Sequence, residues 1–155
     1  LCMAEGLAEN GKLITLDINE DLAYLPKKYF EESEFSKQID FRLQDAKEFL
    51  KKTDDVFDLV FIDADKENYV EYFNLIKPKL RSGFVVMFDN VLWYGKVLEE
   101  NPKAVSTKKI QELNDLVAAD SDFENLIFFF IKKMSKRLAK KFHKLYYNSH
   151  VIMVS

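Results

Sequence analysis

This 155-residue sequence contains one cysteine, Cys2, so it cannot form a disulfide within the chain. Its longest uninterrupted apolar run covers only residues 126–131, whereas a membrane-spanning helix needs roughly 18 or more. A basic segment followed by an apolar stretch, the mark of a secretory signal, does not open the chain. These absences exclude an integral membrane protein and an intact secretory precursor. We expect a protein of the reducing cytoplasm that is held together by its core.

Glycine and proline are also scarce, at four and three residues, and there is no low-complexity linker or internal repeat. Acidic residues are missing from the end of the chain. Residues 132–155 hold seven Lys and Arg but no Asp or Glu, which leaves 16 basic and 26 acidic residues in 1–131, a net charge of −10. We therefore predict an acidic domain, 1–131, followed by a basic segment, 132–155, that forms a helix and then a strand packed on the same domain.

Short apolar runs alternate with segments of helical periodicity along the chain. The run at 57–63 has almost no polar residue on either face, which is typical of a parallel strand covered by helices on both sides. The alternation predicts an α/β fold with a doubly wound, mostly parallel sheet. The predicted strands are 12–17, 38–43, 57–63, 84–89 and 126–131, with a turn at 81–83; the predicted helices are 1–8, 20–32, 46–52, 66–80 and 107–119.

Three of the predicted strands end in an aspartate: Asp17, Asp63 and Asp89. Each could simply cap the helix that follows, because aspartate is a favoured N-cap. In α/β sheets, however, ligands bind outside the carboxyl ends of the strands. Asp17 fits the acid that accepts hydrogen bonds from ribose hydroxyls in a nucleotide site. The Gly-rich turn that accompanies such an acid would lie roughly 20 residues upstream, before residue 1.

Two of these aspartates also predict a metal site. Asp63, Asp89 and the adjacent Asn90 would bring three hard oxygen ligands to neighbouring strand ends, a set that suits Mg²⁺, Ca²⁺ or Mn²⁺ better than Zn²⁺. Two carboxylates a few Å apart repel by about 4 kcal/mol at an effective dielectric near 20. A divalent cation between them removes that repulsion, whereas helix capping gives no reason for the pairing.

Segments 11–18, 57–69 and 89–93 carry a family resemblance. Over about residues 1–125 the chain resembles the cation-dependent S-adenosylmethionine O-methyltransferases of the caffeoyl-CoA and catechol type. The resemblance implies a Rossmann-like sheet, a homodimer and a small phenolic substrate. The implied reaction is methyl transfer from S-adenosylmethionine to a hydroxyl of a catechol-like or caffeoyl-type phenol.

The resemblance also implies a role for individual residues. It implies that Asp63, Asp89 and Asn90 are the metal ligands and that Lys66 is the catalytic lysine. The cofactor contacts that it implies are Asp17, Asp45, Ala46 and Asp65. The metal would acidify a phenolic hydroxyl and Lys66 would take the proton, after which the oxygen attacks the methyl group. Without the resemblance, Lys66 is an ordinary solvated residue at the start of a helix. Trp93 and Tyr94 are candidates for an aromatic wall over the phenol, although packing is the commoner role of such side chains.

Two features depart from the family. The Gly-rich loop, the strand before it and the N-terminal substrate helices are absent from this sequence. Because that strand is central in the family, its loss is expected to expose strand edges, to remove half the cofactor pocket and to impair the activity of this 155-residue chain. The family also has no counterpart of segment 132–155, where Met134, Leu138, Phe142 and Leu145 predict a basic amphipathic helix. As an alternative, the chain is an inactive methyltransferase-like scaffold that binds nucleic acid or an anionic surface through this segment.

Overall fold

The described part of the chain is one parallel sheet with helices packed against it. The computed structural model describes residues 1–21, 23–127 and 150–154, the last by its backbone. In chain order the strands are β1 Lys12–Asp17, β2 Ile39–Leu43, β3 Phe57–Ile62, β4 Leu80–Phe88 and β5 His150–Val154. Their order across the sheet is β2-β1-β5-β3-β4, and every neighbouring pair is parallel. The predicted α/β class is therefore confirmed.

Four α-helices connect these strands within the described residues. They are α1 Tyr24–Glu31, α2 Ala46–Lys52, α3 Tyr69–Ile76 and α4 Val105–Ala119, with 3-10 turns at Ala4–Gly6, Lys66–Asn68, Lys77–Lys79 and Trp93–Leu98. Helix α2 has the bounds that the sequence predicts. The helix predicted at 1–8 is wrong except for the single turn Ala4–Gly6, because Leu7 is already extended. So short a segment, interrupted by glycine, gains too few hydrogen bonds to offset helix nucleation.

β4 begins earlier than the sequence predicts, and the turn predicted at 81–83 lies inside it. Phe57 pairs with Leu80 and Leu59 pairs with Val85, so β4 advances five residues while β3 advances two. The extra residues form a bulge, which Gly83 accommodates with a φ of 81°. A glycine in a turn pattern and a glycine in a bulge give the same local signal, so only the strand pairing distinguishes them.

β5 occupies the middle of the sheet. His150–Val154 pairs with β1 on one side and with β3 on the other. The expectation that the missing family strand leaves open strand edges is therefore wrong for β1 and β3, because β5 supplies the backbone partners of both. The helix predicted before β5 lies outside the described residues, and the division of the chain at residue 131 stays a prediction.

The strand predicted at 126–131 is not found where the structure describes it. Leu126 and Ile127 belong to no strand and are 72% and 55% exposed, while residues 128–131 lie outside the described part of the chain. An apolar run of six residues satisfies a strand pattern locally. It becomes a strand only if a neighbouring edge is available, and β5 already occupies the gap between β1 and β3.

The main core lies between one face of the sheet and helices α2, α3 and α4. Ile14 and Ile62 point to this face and pack with Leu50, Tyr69 and Ile76. The alternate strand residues Leu13 and Leu59 belong to a smaller cluster with Ala4, as expected from the two-residue period of a strand. No helix among the described residues is both long and apolar enough to cross a membrane.

The edge strand β2 carries an ion-pair cluster that predicts a pH-dependent stability. Arg42 lowers the pKa of Asp40 to about 2 from its ordinary 3.8, and Lys12 adds to this effect while partial burial opposes it. The shortest N–O distances from Asp40 are 2.7 Å to Arg42 and 2.9 Å to Lys12. Because the folded-state pKa is depressed, the cluster stabilises fully above about pH 5 and is lost as the pH falls through 4 towards 2.

Asp40→Asn is expected to lower the free energy of unfolding by about 1 kcal/mol at pH 7, a value reduced for solvent screening. The difference from the parent should shrink below pH 4 and vanish near pH 2, because the parent carboxylate is then protonated. Urea unfolding at a series of pH values measures this. Asp54→Asn, at an exposed position, is the control. A difference that does not change with pH would contradict the ionic origin.

Candidate functional site

The fold places the three strand-end aspartates at one edge of the sheet. Asp17 is the last residue of β1, while Asp63 and Asp89 directly follow β3 and β4. Ile62 pairs with Phe88, so Asp63 and Asp89 are the next residues on neighbouring parallel strands. The backbone N–H of Asp89 donates to the carbonyl of Ile62 at 3.0 Å, which continues the ladder into the site. The register therefore places Asp63 and Asp89, the two acidic residues predicted to bind a metal, side by side on neighbouring strands.

Lys66 connects this edge to helix α3. Its Nζ lies 3.1 Å from Asp63 Oδ1 and 2.5 Å from the hydroxyl oxygen of Tyr69. The side chain of Lys66 is 11% exposed, whereas that of Asp63 is 50% exposed. Nζ is 4.7 Å from the centroid of the Tyr69 ring, and its short contact with the hydroxyl oxygen places it at the hydroxyl end of that ring. Lys66 is therefore held against the site and does not extend into solvent as the alternative interpretation of a solvated lysine requires.

Tyr69 lies beneath the predicted metal site and is fully buried. Its hydroxyl donates to the backbone carbonyl of Asp89 at 3.0 Å, and the carbonyl of Ile62 is 3.3 Å away. Burial, followed by the negative charges of Asp63 and Asp89, raises the pKa of Tyr69 well above its ordinary value. The phenol is therefore neutral at physiological pH, and both carboxylates act on the same buried hydroxyl.

The turn after β4 is backbone-strained. Among the described residues, the non-glycine positions with positive φ are Asn90, Trp93 and Tyr94, at 62°, 44° and 56°. Asparagine tolerates this conformation, but it costs a bulky residue about 1 kcal/mol or more. Three such residues in one turn require compensation, and strain of this kind is concentrated at functional sites. Asn90 donates a side-chain hydrogen bond to the Asp89 carboxylate, so it lies at the predicted metal site.

The two aromatic residues predicted to cover a substrate have different environments. Trp93 is half-buried, whereas Tyr94 is 90% exposed, and their ring centroids are 6.1 Å apart. Tyr94 therefore packs little within the described structure, which removes the ordinary packing explanation for its position. Both stand in the turn that carries Asn90. Their contact with a substrate stays a prediction.

The chemistry of these residues fits a hard divalent cation. The predicted ligands Asp63, Asp89 and Asn90 offer carboxylate and amide oxygens. In this structure the ammonium of Lys66 partly neutralises the charge of Asp63. No three His, Cys, Asp or Glu side chains cluster as a metal site in the part of the chain that the structure describes. A cation here would therefore need Asn90, together with water or substrate oxygens, to complete its coordination.

The predicted cofactor residues also lie at the carboxyl edge. The backbone carbonyl of Asp17, at the end of β1, accepts from Gln44 N–H at 2.9 Å, which ties β1 to the segment that leads into Asp45. The Asp17 carboxylate accepts the N–H of Asn19 at 2.8 Å and so also shapes its own turn. Ala46 is buried at the start of α2.

Asp65 is connected to the neighbouring helix by a tyrosine. The Tyr72 hydroxyl donates to Asp65 Oδ1 at 3.0 Å. Burial, with the charges of Asp65 and then Asp45 contributing, raises the pKa of Tyr72. Asp45 and Asp65 thus act on the same tyrosine, although they follow different strands.

Asp45 has a clear structural function. Its carboxylate accepts the N–H groups of Lys47 and Glu48 at 2.8 and 3.0 Å and so caps α2. Replacing it with alanine is expected to lower the free energy of unfolding by about 1 kcal/mol, whereas Asp45→Asn should be nearly neutral because both residues cap well. Thermal or urea unfolding measures both variants.

The same pair of variants tests the cofactor role. If the Asp45 carboxylate contacts the adenine side of a cofactor, S-adenosylhomocysteine binding should weaken in Asp45→Asn as well as in Asp45→Ala. Binding that weakens only in Asp45→Ala would leave Asp45 as a helix cap. Calorimetry on the folded variants distinguishes the two results.

A groove of about 510 Å³ lies away from these residues, between α1 and β2. Its lining includes Tyr24, Phe30 and Phe41 but none of the predicted site residues. The 155 residues contain no Gly-rich loop, since the four glycines are Gly6, Gly11, Gly83 and Gly95.

The sequence analysis missed Tyr69 and Tyr72. A signal was available, because Lys66, Tyr69 and Tyr72 recur at three-residue spacing and so share one side of the helical segment. Tyrosine in an apolar helix is usually a core residue, and both rings are buried here. Only the structure shows that their hydroxyls contact the site residues.

Comparison with known proteins identifies the family. The family model described as O-methyltransferase matches residues 1–132, so the chain belongs to the O-methyltransferase family. This confirms the resemblance inferred from the sequence motifs. Similar curated proteins include a catechol O-methyltransferase of Niastella koreensis, 32% identical over 123 residues, and caffeoyl-CoA O-methyltransferase 1 of Arabidopsis thaliana, 32% identical over 137 residues. These alignments cover 77% and 80% of this chain but 56% and 52% of the relatives.

Solved structures agree with the fold. An O-methyltransferase from Bacillus cereus in complex with SAH has a TM-score of 0.71 at 28% identity, and TomG from Streptomyces achromogenes in complex with SAM has a TM-score of 0.72 at 25% identity. Each alignment covers 77% of this chain, and the covered shares of the two solved chains are 56% and 55%. The chain therefore spans about half the length of the relatives it matches.

Proposed function

We propose that this chain carries the metal-binding and base-bearing part of an enzyme that transfers a methyl group from S-adenosylmethionine to a phenolic hydroxyl. The substrate class is a catechol-like or caffeoyl-type phenol, and the cofactors are S-adenosylmethionine and Mg²⁺, Ca²⁺ or Mn²⁺. The observation that carries the proposal is the meeting of Asp63, Lys66 and Asp89 at one edge of the sheet. The catechol and caffeoyl-CoA O-methyltransferases among its relatives support the substrate class.

Asp63, Asp89 and Asn90 would hold the divalent cation. When bound, the cation lowers the pKa of a hydroxyl that it chelates. The chain's own residues accept the proton and position the oxygen. As a neutral amine, Lys66 can donate its two N–H bonds to Asp63 and Tyr69, which leaves the lone pair of its nitrogen to take the proton of a substrate hydroxyl. Positioning the oxygen in line with the methyl group can contribute on the order of 7 kcal/mol.

Asp17, Asp45, Ala46 and Asp65 would bind the nucleoside part of the cofactor at the neighbouring strand ends. The relatives solved with SAH and SAM support the cofactor, and the assignment to these four residues comes from the sequence resemblance. Because the Gly-rich loop is absent from the sequence, we expect S-adenosylhomocysteine to bind this chain much more weakly than it binds an intact relative. Calorimetry with both proteins checks this, and equal affinity would show that the loop contributes little.

Methyl transfer tests the function directly. The purified 155-residue chain is incubated with methyl-labelled S-adenosylmethionine and a phenol with two vicinal hydroxyls, with Mg²⁺ or with a chelator. Label should pass to the vicinal diol only when Mg²⁺ is present, and slowly, because the cofactor is expected to bind this chain weakly. The matched control is the same phenol with one hydroxyl already methylated, which cannot chelate a cation with two hydroxyls. Transfer that is indifferent to the chelator would contradict the proposed metal site.

The alternative of an inactive binding scaffold finds no support in these comparisons, and most of segment 132–155 lies outside the described residues. The family membership and the retained site residues favour the enzyme. A homodimer in the cytoplasm is part of the proposal, supported by the family resemblance and by the single cysteine. Light scattering of the purified chain measures the oligomeric state.

A further inference from the structure

Tyr69 joins two parts of the candidate site through one oxygen atom. Its hydroxyl accepts a hydrogen bond from Lys66 Nζ at 2.5 Å and donates one to the backbone carbonyl of Asp89 at 3.0 Å. A backbone carbonyl can only accept a hydrogen bond, so the single proton of the Tyr69 hydroxyl goes to Asp89. Lys66 is then the donor to the Tyr69 oxygen. Tyr69 therefore links the turn that carries Lys66 to the turn that carries Asp89 and Asn90.

The surroundings of Tyr69 make this link rigid. The residue is fully buried, and its ring packs at 5.4 Å from that of Phe88, the last residue of β4. Lys66 Nζ lies at the hydroxyl end of the Tyr69 ring, 4.7 Å from its centroid, and the Lys66 side chain is only 11% exposed. A long lysine side chain normally samples many rotamers, and fixing it has an entropic cost that the salt bridge to a half-exposed Asp63 offsets poorly. The Tyr69 hydroxyl supplies the second, buried contact.

We propose that Tyr69 is a positioning residue for methyl transfer, whose hydroxyl holds the Lys66 nitrogen at a fixed place beside Asp89. The proposal depends on the proposed function for its kinetic consequence but not for its structural one. Tyr69 is not proposed to contact the substrate or the cofactor. It acts by directing the free position of the Lys66 nitrogen towards the substrate hydroxyl.

Tyr72 provides an internal contrast one helical turn further along α3. It is also buried, but its hydroxyl donates to Asp65, on the predicted cofactor side. Removal of the Tyr69 hydroxyl is therefore expected to lower kcat, whereas removal of the Tyr72 hydroxyl is expected to raise KM for S-adenosylmethionine. Tyr29, which is exposed on α1, serves as the control for the substitution itself.

The kinetic experiment compares Tyr69→Phe, Tyr72→Phe and Tyr29→Phe with the parent chain. Tyr69→Phe is expected to lower kcat by about 10- to 100-fold, because small misplacement of a reacting group has effects of this size. Its KM for S-adenosylmethionine should stay within about twofold, and Tyr29→Phe should match the parent. In a Lys66→Ala background, Tyr69→Phe should have no further effect, since the nitrogen that it positions is gone. A raised KM with an unchanged kcat, or fully additive losses, would overturn the proposal.

A second readout does not require activity. Contact with Tyr69 should shift the NMR signal of the Lys66 ε-methylene protons away from that of a solvated lysine, and Lys66→Arg assigns that signal by removing it. In Tyr69→Phe the shift should decrease, because the hydroxyl no longer holds the nitrogen beside the ring. If the shift decreases but the parent transfers no methyl group, the proposed function fails and the positioning stands. An unchanged shift would overturn the positioning.

If Tyr69→Phe does not fold, the parent chain can be labelled with 3-fluorotyrosine instead. The fluorine signal of Tyr69 is then compared between the parent and Lys66→Met, which removes the donor and keeps the length of the side chain. A changed signal supports the hydrogen bond, and an identical one contradicts it.

Discussion

Replacing Asp89 with alanine is expected to weaken Mn²⁺ binding by the 155-residue chain at least tenfold and to remove most of its Mg²⁺-dependent methyl transfer. The carboxylate is one of only two proposed anionic ligands, and the neutral amide of Asn90 cannot compensate for it. A tenfold change corresponds to about 1.4 kcal/mol. Electron paramagnetic resonance of free Mn²⁺ in a titration measures the affinity without any need for turnover.

Fold integrity must be separated from ligand loss in this experiment. The backbone N–H and carbonyl of Asp89 bond to Ile62 and Tyr69, and both contacts survive a change of side chain. Asp89→Ala should therefore unfold at nearly the parent temperature. Asp122→Ala, which removes an exposed carboxylate in an ion pair with Lys77, is the control and should leave Mn²⁺ affinity unchanged. Equal Mn²⁺ affinity in Asp89→Ala and the parent would remove Asp89 from the metal site.

Replacing Lys66 with alanine is expected to reduce the methyl-transfer rate by about 10² to 10⁴, the usual contribution of a positioned general base. Metal binding should behave differently. Lys66 now forms an ion pair with Asp63, so its removal frees a proposed ligand, and Mn²⁺ affinity should stay the same or increase. The two variants are thus expected to have different defects. Asp89→Ala should bind the metal ion more weakly, whereas Lys66→Ala should transfer the methyl group more slowly even at saturating metal.

Lys109→Ala provides the control for loss of a positive charge, because Lys109 pairs with Glu112 on the partly exposed side of α4. It should retain the parent rate. An unchanged rate in Lys66→Ala at saturating Mg²⁺ would return Lys66 to the role of an ordinary residue at a helix start. The measurement is the initial rate of label transfer at several Mg²⁺ concentrations.

Local signals in the sequence were sufficient for several elements. α2 has the predicted bounds because its determinants are adjacent in the chain: Asp45 caps its start, and the apolar residues Phe49 and Leu50 face the core. β3 was recognisable because a run with almost no polar residues fits burial on both faces of a sheet. The acids at the carboxyl ends of β1, β3 and β4 could be assigned to one edge because these ends lie together in a parallel sheet.

Other features depend on contacts between distant segments. The extension of β4 through Gly83 depends on the register of β4 with β3. The local sequence of residues 81–83, taken without that partner strand, predicts a turn. The Tyr69 hydroxyl meets Asp89, 20 residues away, and the Tyr72 hydroxyl meets the carboxylate of Asp65. Helical spacing could align the tyrosines but could not show which groups their hydroxyls contact.

The sequence by itself determined the α/β class, the family and the set of oxygen-bearing residues at the strand ends, because each is encoded in short segments. The tertiary structure alone decided that residues 150–154 form the middle strand between β1 and β3. An apolar pentapeptide is compatible with any unpaired strand edge. Its place is fixed by the backbone donors and acceptors of β1 and β3, which come from parts of the chain far away in sequence.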